Sequence, residues 1–297
     1  MTPSFTLAVF TKNRVNPAYD AARLAVDRVA AEAGARTLHY VPATPDHVGE
    51  QKALVTQALA ARPDAVLFNP TDDVAMAEDV ARITAAGIPV AVFINRMQVP
   101  VVTFVGSDDV RVGETIARAL FQGLGGTGKV VALNGTRGAR TARDRTEGLK
   151  RVLADSPGIE LVGSRVGYLQ EAPARKAMEE LLHDHPQIDG VWTANDVMAF
   201  GTLTALREAG RSATVVGING LPAAIGHIER GTMLASIDFS AFNIAAIATH
   251  AVLRHLAGRP VPPEIMVPAE LIDRSNCHRW KVPFAERPIP NWADFVR

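Results

Sequence analysis

Short apolar and β-branched runs alternate with longer alanine-rich amphipathic stretches through almost the whole chain. The runs predict strands near 5–10, 36–41, 65–69, 89–94, 101–105, 129–133, 159–166, 190–193, 214–218, 234–238 and 265–271. The stretches between them predict helices near 18–33, 47–61, 73–86, 109–122, 142–154, 173–184, 196–209, 222–230 and 242–257. Gly34, Gly87, Gly123 and Gly210 each follow a helical pattern, where a left-handed cap is expected. Runs such as Ala65-Val-Leu-Phe68 and Val90-Ala-Val-Phe-Ile94 are apolar on both faces, as parallel strands covered by helices on each side must be. The class is therefore α/β with doubly wound parallel sheets.

So many strands exceed what one such sheet usually holds, and an internal repeat divides them. Asp64-Ala-Val-Leu-Phe-Asn69 opens a unit that closes at Ile94-Asn95. Asp189-Gly-Val-Trp-Thr-Ala-Asn195 opens a second that closes at Ile218-Asn219, with nearly the same spacing. Two similar lobes follow. Ligands of open α/β sheets bind outside the carboxyl ends of the strands. Asn69, Asn95, Asn195 and Asn219 all fall there, two per lobe, which predicts an amide-lined cleft for a small polar ligand. The competing reading is that these asparagines only cap helices or shape turns.

Composition narrows the function further. The 297 residues carry equal numbers of acidic and basic side chains and are 47% hydrophobic, which argues against disorder and gives no electrostatic reason to bind nucleic acid or an anionic membrane. A single cysteine, Cys277, excludes an internal disulfide and any multi-thiolate zinc site. No apolar run reaches the length of a membrane span, and no signal peptide is visible in the opening MTPSFTLAVF. Gly123-Leu-Gly-Gly-Thr-Gly128 matches a dinucleotide fingerprint, but the glycines follow a helix and precede a strand, the reverse of the required order. His183 with His185 sit at a helix end, and His250 with His255 are too far around a helix to share a metal. With no nucleophile elbow or zincin motif, no enzyme, metal or cofactor is expected. Arg137, Arg140, Arg143 and Arg145 open a helix after a strand, so one of them is expected in the cleft and the others on the surface.

Several motifs in order then resemble the ribose-type (type I) periplasmic sugar-binding proteins of bacterial ABC importers, over Leu7 to about Ser275. They are Asn16-Pro-Ala-Tyr19, Asn69-Pro-Thr-Asp72, Asn95-Arg96, Gly106-Ser-Asp108, Arg143-Asp-Arg-Thr-Glu-Gly148, Asn195-Asp-Val-Met-Ala-Phe-Gly201 and Val216-Gly-Ile-Asn-Gly220. The resemblance implies the type I periplasmic binding protein fold, two lobes joined by a three-segment hinge that crosses near 105–108, 237–240 and 267–270. Residues 1–106 with 239–268 would form the N-terminal lobe, and 107–238 with 269–297 the C-terminal lobe. It also implies a non-enzymatic periplasmic monomer, its leader removed, that closes its hinge on a small carbohydrate-like ligand and delivers it to a permease in the inner membrane.

Carried over by position, Tyr19 would stack on a sugar face, with Phe10 and Phe239 as further walls. Asn16, Asn69, Ser107 and Asn195 would bond hydroxyls, and Arg96 and Arg143 would donate paired bonds. Asn95 and Asn219 stand where the family commonly has aspartate. Their loss would leave Arg96 and Arg143 less neutralised and the site richer in donors, which suggests a sugar acid, lactone or keto sugar, with polyols and an altered pentose pose still open. Ala18 and Leu169 replace positions often aromatic in the family. The stretch 277–297, with Trp280, Pro283, Pro288, Pro290 and Trp292, is expected to be a strap packed on the C-terminal lobe, or else a partner contact. The rival functions are the effector domain of a LacI-type repressor and a binding protein that feeds a sensor kinase. No room for a helix-turn-helix exists before the strand at Phe5.

Overall fold

The computed structural model describes residues 5–296; residues 1–4 and 297, which fall within the expected lobe boundaries, lie outside it. The first sheet takes β1 (Thr6–Phe10), β2 (Arg36–Tyr40), β3 (Ala65–Phe68), β4 (Val90–Phe93) and β5 (Thr103–Gly106). Between these strands run α1 (Pro17–Glu32), α2 (Val48–Ala61) and α3 (Ala77–Ala85). The second sheet takes β6 (Gly128–Asn134), β7 (Ile159–Val166), β8 (Gly190–Thr193), β9 (Thr214–Val216) and β10 (Ala235–Asp238). Its helices are α4 (Asp109–Gly123), α5 (Arg140–Ala154), α6 (Glu171–Asp184), α7 (Asp196–Glu208) and α8 (Pro222–Arg230). Helix α9 (Ala241–Leu256) and β11 (Glu264–Met266) return to the first sheet, and β12 (Glu270–Asp273) to the second.

Each sheet has six strands, in the orders β11-β5-β4-β3-β1-β2 and β12-β10-β9-β8-β6-β7. All pairings are parallel except β10 with β12. The chain passes between the sheets three times, after Gly106, after Asp238 and after Met266. This is the type I periplasmic binding architecture. Central strands β1, β3, β4 and β8 are buried at every position, as strands covered on both faces must be.

Three local expectations are corrected. The strand expected over 265–271 is two strands in two sheets, because Pro268 has no N–H to donate, while Val267 N donates to Gly106 O at 2.7 Å. The helix expected from 73 starts at Ala77, because Asp72 Oδ1 accepts from the amides of Val74 and Ala75 and holds a turn there. Gly34, Gly87 and Gly210 do adopt positive φ, but Gly123 is still helical, and the left-handed residues after α4 are Gly125 and Gly126.

Helices α4 and α5 cross at close range because two glycines face each other's backbone. A Cβ on Gly113 would strike the Arg145 carbonyl, and one on Gly148 would strike the Val110 carbonyl. The stretch after Asn276 forms three short 3-10 turns, Cys277–Trp280, Phe284–Glu286 and Trp292–Asp294. It bridges both lobes instead of packing on one. Trp280 Nε1 donates to Asp238 Oδ2 at 2.9 Å and Lys281 pairs with Glu229 at 2.7 Å, both in the second lobe. In the first lobe, Arg28 of α1 donates to the Arg287 carbonyl at 2.7 Å, and the Arg254 guanidinium of α9 lies 4.8 Å from the Trp292 ring centre.

Candidate functional site

The carboxyl ends of the two sheets face each other, and polar side chains from both lobes meet between them. Asn16 caps α1, accepting from Ala18 N at 3.0 Å, and the same Oδ1 accepts from Asn219 Nδ2 of the other lobe at 3.2 Å. Asn95 Nδ2 donates to Asn69 Oδ1 at 2.9 Å. Its own Oδ1 accepts from the backbone and hydroxyl of Thr141 across the cleft, at 3.3 and 3.1 Å. The amides thus lie between the lobes, and three of them carry the lobe-to-lobe bonds. Arg143 adds a paired bond to Asp73 of the first lobe at 2.8 and 2.7 Å. The lobes are closed on one another.

Beneath this seam lies a buried group that sequence reasoning only partly found. Lys12 follows β1, is fully buried, and has Nζ 3.7 Å from Asp46 Oδ1. Tyr19, also buried, and Arg145 of the opposite lobe lie within electrostatic reach of it. Burial disfavours the ammonium, but Tyr19 and Asp46 more than offset that, and Lys12 is held above its usual pKa. Burial holds the Tyr19 hydroxyl above its usual pKa, so it keeps its proton at neutral pH. Arg145 is 4% exposed; its Nε donates to Asp109 Oδ1 at 2.7 Å, one terminal nitrogen donates to Ala194 O at 3.0 Å, and its guanidinium lies 5.0 Å from the Phe239 ring centre. Burial pushes the Asp109 carboxyl up to about 6 although Arg145 opposes the shift. Ser107, at the first crossing, lies 3.5 Å from Asp109 Oδ2.

Of the residues named from sequence, Asn16, Tyr19, Asn69, Asn95, Ser107, Asn219 and Phe239 come together in and around this seam. Four are placed elsewhere or engaged otherwise. Phe10 is core: it stacks on Tyr40 at 5.0 Å and packs tilted against Phe68 at 4.9 Å, since its face of β1 points into the first lobe. Asn195 spends its amide locally, accepting from Met198 N to cap α7 and donating to Leu169 O. Arg96 turns outward to pair with Glu264 and lie over Phe104. Arg143 is the cross-lobe tie, and Arg145 is the arginine that enters the site. Neither Arg96 nor Arg143 is left short of a counter-ion, because Glu264 and Asp73 supply one to each.

Lys12, Asp46 and Asp109 are the residues missed, and Arg145 is the member of the four-arginine cluster that the sequence left undistinguished from its neighbours. Lys12 stood at a strand's carboxyl end, the position that predicts ligand contact, but lysine is seldom buried and its type hid it. Among the described residues no cluster of histidine, cysteine or carboxylate side chains is suited to a metal, and no helix is long and apolar enough to cross a membrane.

Comparison with known proteins gives the family. The periplasmic binding protein domain family matches residues 7–260. The chain belongs to that family. Among the relatives of this periplasmic binding protein is the ribose import binding protein RbsB of Bacillus subtilis, 31% identical over 90% of this chain and 87% of its own length. The RbsB protein of Escherichia coli is 30% identical over 70% of each chain. An ABC transporter periplasmic solute binding protein from Actinobacillus succinogenes, solved with bound D-allose, superposes with a TM-score of 0.88 at 25% identity, covering 93% of this chain and all of that one. An ABC transporter solute binding protein from Mycobacterium smegmatis, solved with bound glycerol, superposes with a TM-score of 0.88 at 25% identity over 93% of this chain and 96% of its own. These relatives are binding proteins, not enzymes.

Proposed function

We propose that this periplasmic binding protein captures a small carbohydrate-like ligand, a sugar, polyol, sugar acid or lactone, between its lobes and presents it in the closed form to an ABC transporter permease. The observation that carries this is the buried group at the seam: cation, amides, tyrosine and an aromatic wall gathered from both lobes, with no protein acceptor at full hydrogen-bond distance from Lys12 Nζ or Asn69 Nδ2. Buried donors left without partners are costly, and a hydroxylated ligand at this seam satisfies them. Tyr19 and Phe239 offer ring surface to the C–H face of a sugar. Closure needs only differential affinity: a ligand that touches both lobes favours the closed form. The chain acts as a monomer in the periplasm, and the ligand leaves chemically unchanged.

The test is a thermal-shift panel of aldoses, keto sugars, polyols, sugar acids and lactones on protein unfolded and refolded to strip carried ligand. A ligand at a thousand times its dissociation constant stabilises by about 4 kcal/mol, a shift of several degrees. A rise with one of these classes, lost on replacing Tyr19 by alanine, supports the reading. No shift across the panel sinks it.

A further inference from the structure

The structure assigns to Lys12 and Asp46 a joint role that no motif discloses: together they read one hydroxyl of an uncharged polyhydroxylated ligand and exclude its acidic counterpart. The inference rests on the solute-binding reading above and narrows its ligand class.

The geometry of the pair is the first observation. The two charges face each other at 3.7 Å, buried on both sides, beyond the length of a normal hydrogen bond. Asp46 Oδ1 accepts from Asn13 Nδ2 at 3.1 Å, whereas Oδ2 accepts from nothing. Lys12 Nζ has three N–H donors and, beyond its ion pair with Asp46, no acceptor within hydrogen-bond distance. One unfilled donor and one unfilled acceptor therefore stand side by side. A hydroxyl oxygen accepts from the ammonium and its hydrogen goes to Oδ2, so one group satisfies both. A carboxylate satisfies Lys12 but brings no hydrogen for Oδ2 and sets a second anion against it. An amine satisfies Oδ2 but sets a second cation against Lys12.

The charge balance of the surroundings is the second observation, and it is independent. The buried and cross-lobe cations of the seam already have carboxylates: Lys12 has Asp46, Arg145 has Asp109 at 2.7 Å, and Arg143 has Asp73. Arg96 is taken by Glu264. The remaining side chains at the seam, Tyr19, Asn13, Asn16, Asn69, Asn95 and Asn219, carry no charge at neutral pH. An anionic ligand would meet cations that are already neutralised by these carboxylates, at an energetic cost that burial enlarges.

The experiment compares matched pairs that differ only in oxidation of one end: D-ribose with D-ribonate, D-allose with D-allonate, and xylitol with xylonate. Affinities are measured by calorimetry at neutral pH on refolded protein, for the wild type, Lys12→Met and Asp46→Asn. Asparagine tolerates the left-handed backbone at position 46, where φ is 58°, so Asp46→Asn keeps the loop and alters only charge and acceptor. The expected result is a neutral compound bound at least tenfold tighter than its acid. Lys12→Met weakens that neutral compound at least tenfold, and Asp46→Asn shifts the neutral-to-acid ratio at least tenfold towards the acid. If Lys12→Met does not fold, the ratio in Asp46→Asn decides alone. An acid bound as tightly as its neutral partner, or a ratio that Asp46→Asn leaves unchanged, overturns the inference while the solute-binding reading stands. Binding of none of the six compounds overturns both.

Discussion

Replacing Arg145 by methionine tests how the second lobe organises its side of the seam. Methionine keeps most of the side-chain length over Phe239 but removes the charge from Asp109 and the donor from Ala194 O. Arg145 and Asp109 are 5% and 6% exposed at the side chain, so neither charge has solvent to fall back on. Removing one partner of a buried pair costs about 3–5 kcal/mol. Asp109 is already pushed up to about 6 with Arg145 in place, so without it the carboxyl takes a proton and the cost should settle near the lower figure, about 3 kcal/mol. For lobes of this size that lowers the melting midpoint by roughly 10 °C. The assay is urea unfolding of the wild type, Arg145→Met, Asp109→Leu and the double variant, closed as a double-mutant cycle. A coupling above about 2 kcal/mol, with the double variant recovering much of the single loss, is the expected result. The loss in Arg145→Met should also be smaller at pH 5.5 than at pH 8, because protonated Asp109 no longer needs a cation. A single-variant loss under about 1 kcal/mol with no coupling would refute the assignment of a tightly buried pair.

Asp196 sets a pH dependence of its own. Burial pushes its carboxyl up to about 7, although Leu221 N and the Ser236 hydroxyl donate to it. The folded chain therefore binds this proton more tightly than the unfolded chain, and Asp196 destabilises the ionised protein above pH 7, a penalty relieved as pH falls from about 7 towards 4. Measured as the stability difference from Asp196→Asn, the wild type should gain up to about 1.4 kcal/mol per pH unit over that window; a flat difference from pH 5 to 8 contradicts it. Gly148→Ala drives a methyl into the Val110 carbonyl and should cost about 1–3 kcal/mol in urea denaturation, with a matching fall in ligand affinity as Arg145 is displaced. Trp280→Phe keeps the ring of the strap but withdraws its N–H from buried Asp238, and should lose about 1.5–3 kcal/mol in the same assay.

What the sequence determined by itself was the repeating layout. Alternation of two-sided apolar runs with amphipathic stretches placed the strands and helices, since the periods of 2 and 3.6 belong to each segment alone. The matched Asp64–Asn95 and Asp189–Asn219 units announced two lobes, and the carboxyl-end rule put four asparagines near the seam. Tertiary structure decided which side chains the seam keeps. Arg143 and Arg145 lie about 200° apart on α5, so only one faces inward, and spacing does not say which. The close crossing of α4 over α5, permitted by Gly113 and Gly148, brings Asp109 to Arg145 and leaves Arg143 at the lobe boundary with Asp73. Asn195 remained a helix cap because Met198 N and Leu169 O reach it first, and Phe10 turned into the core because its face of β1 meets Tyr40 and Phe68. Lys12 is the sharpest case. The loop that carries Asp46 back to the end of β1, distant in sequence but 3.7 Å away in space, joins Tyr19 in compensating the ammonium buried there. A local pattern registers which face a residue occupies; the compensation of a buried charge comes from distant segments and exists only once the chain has folded.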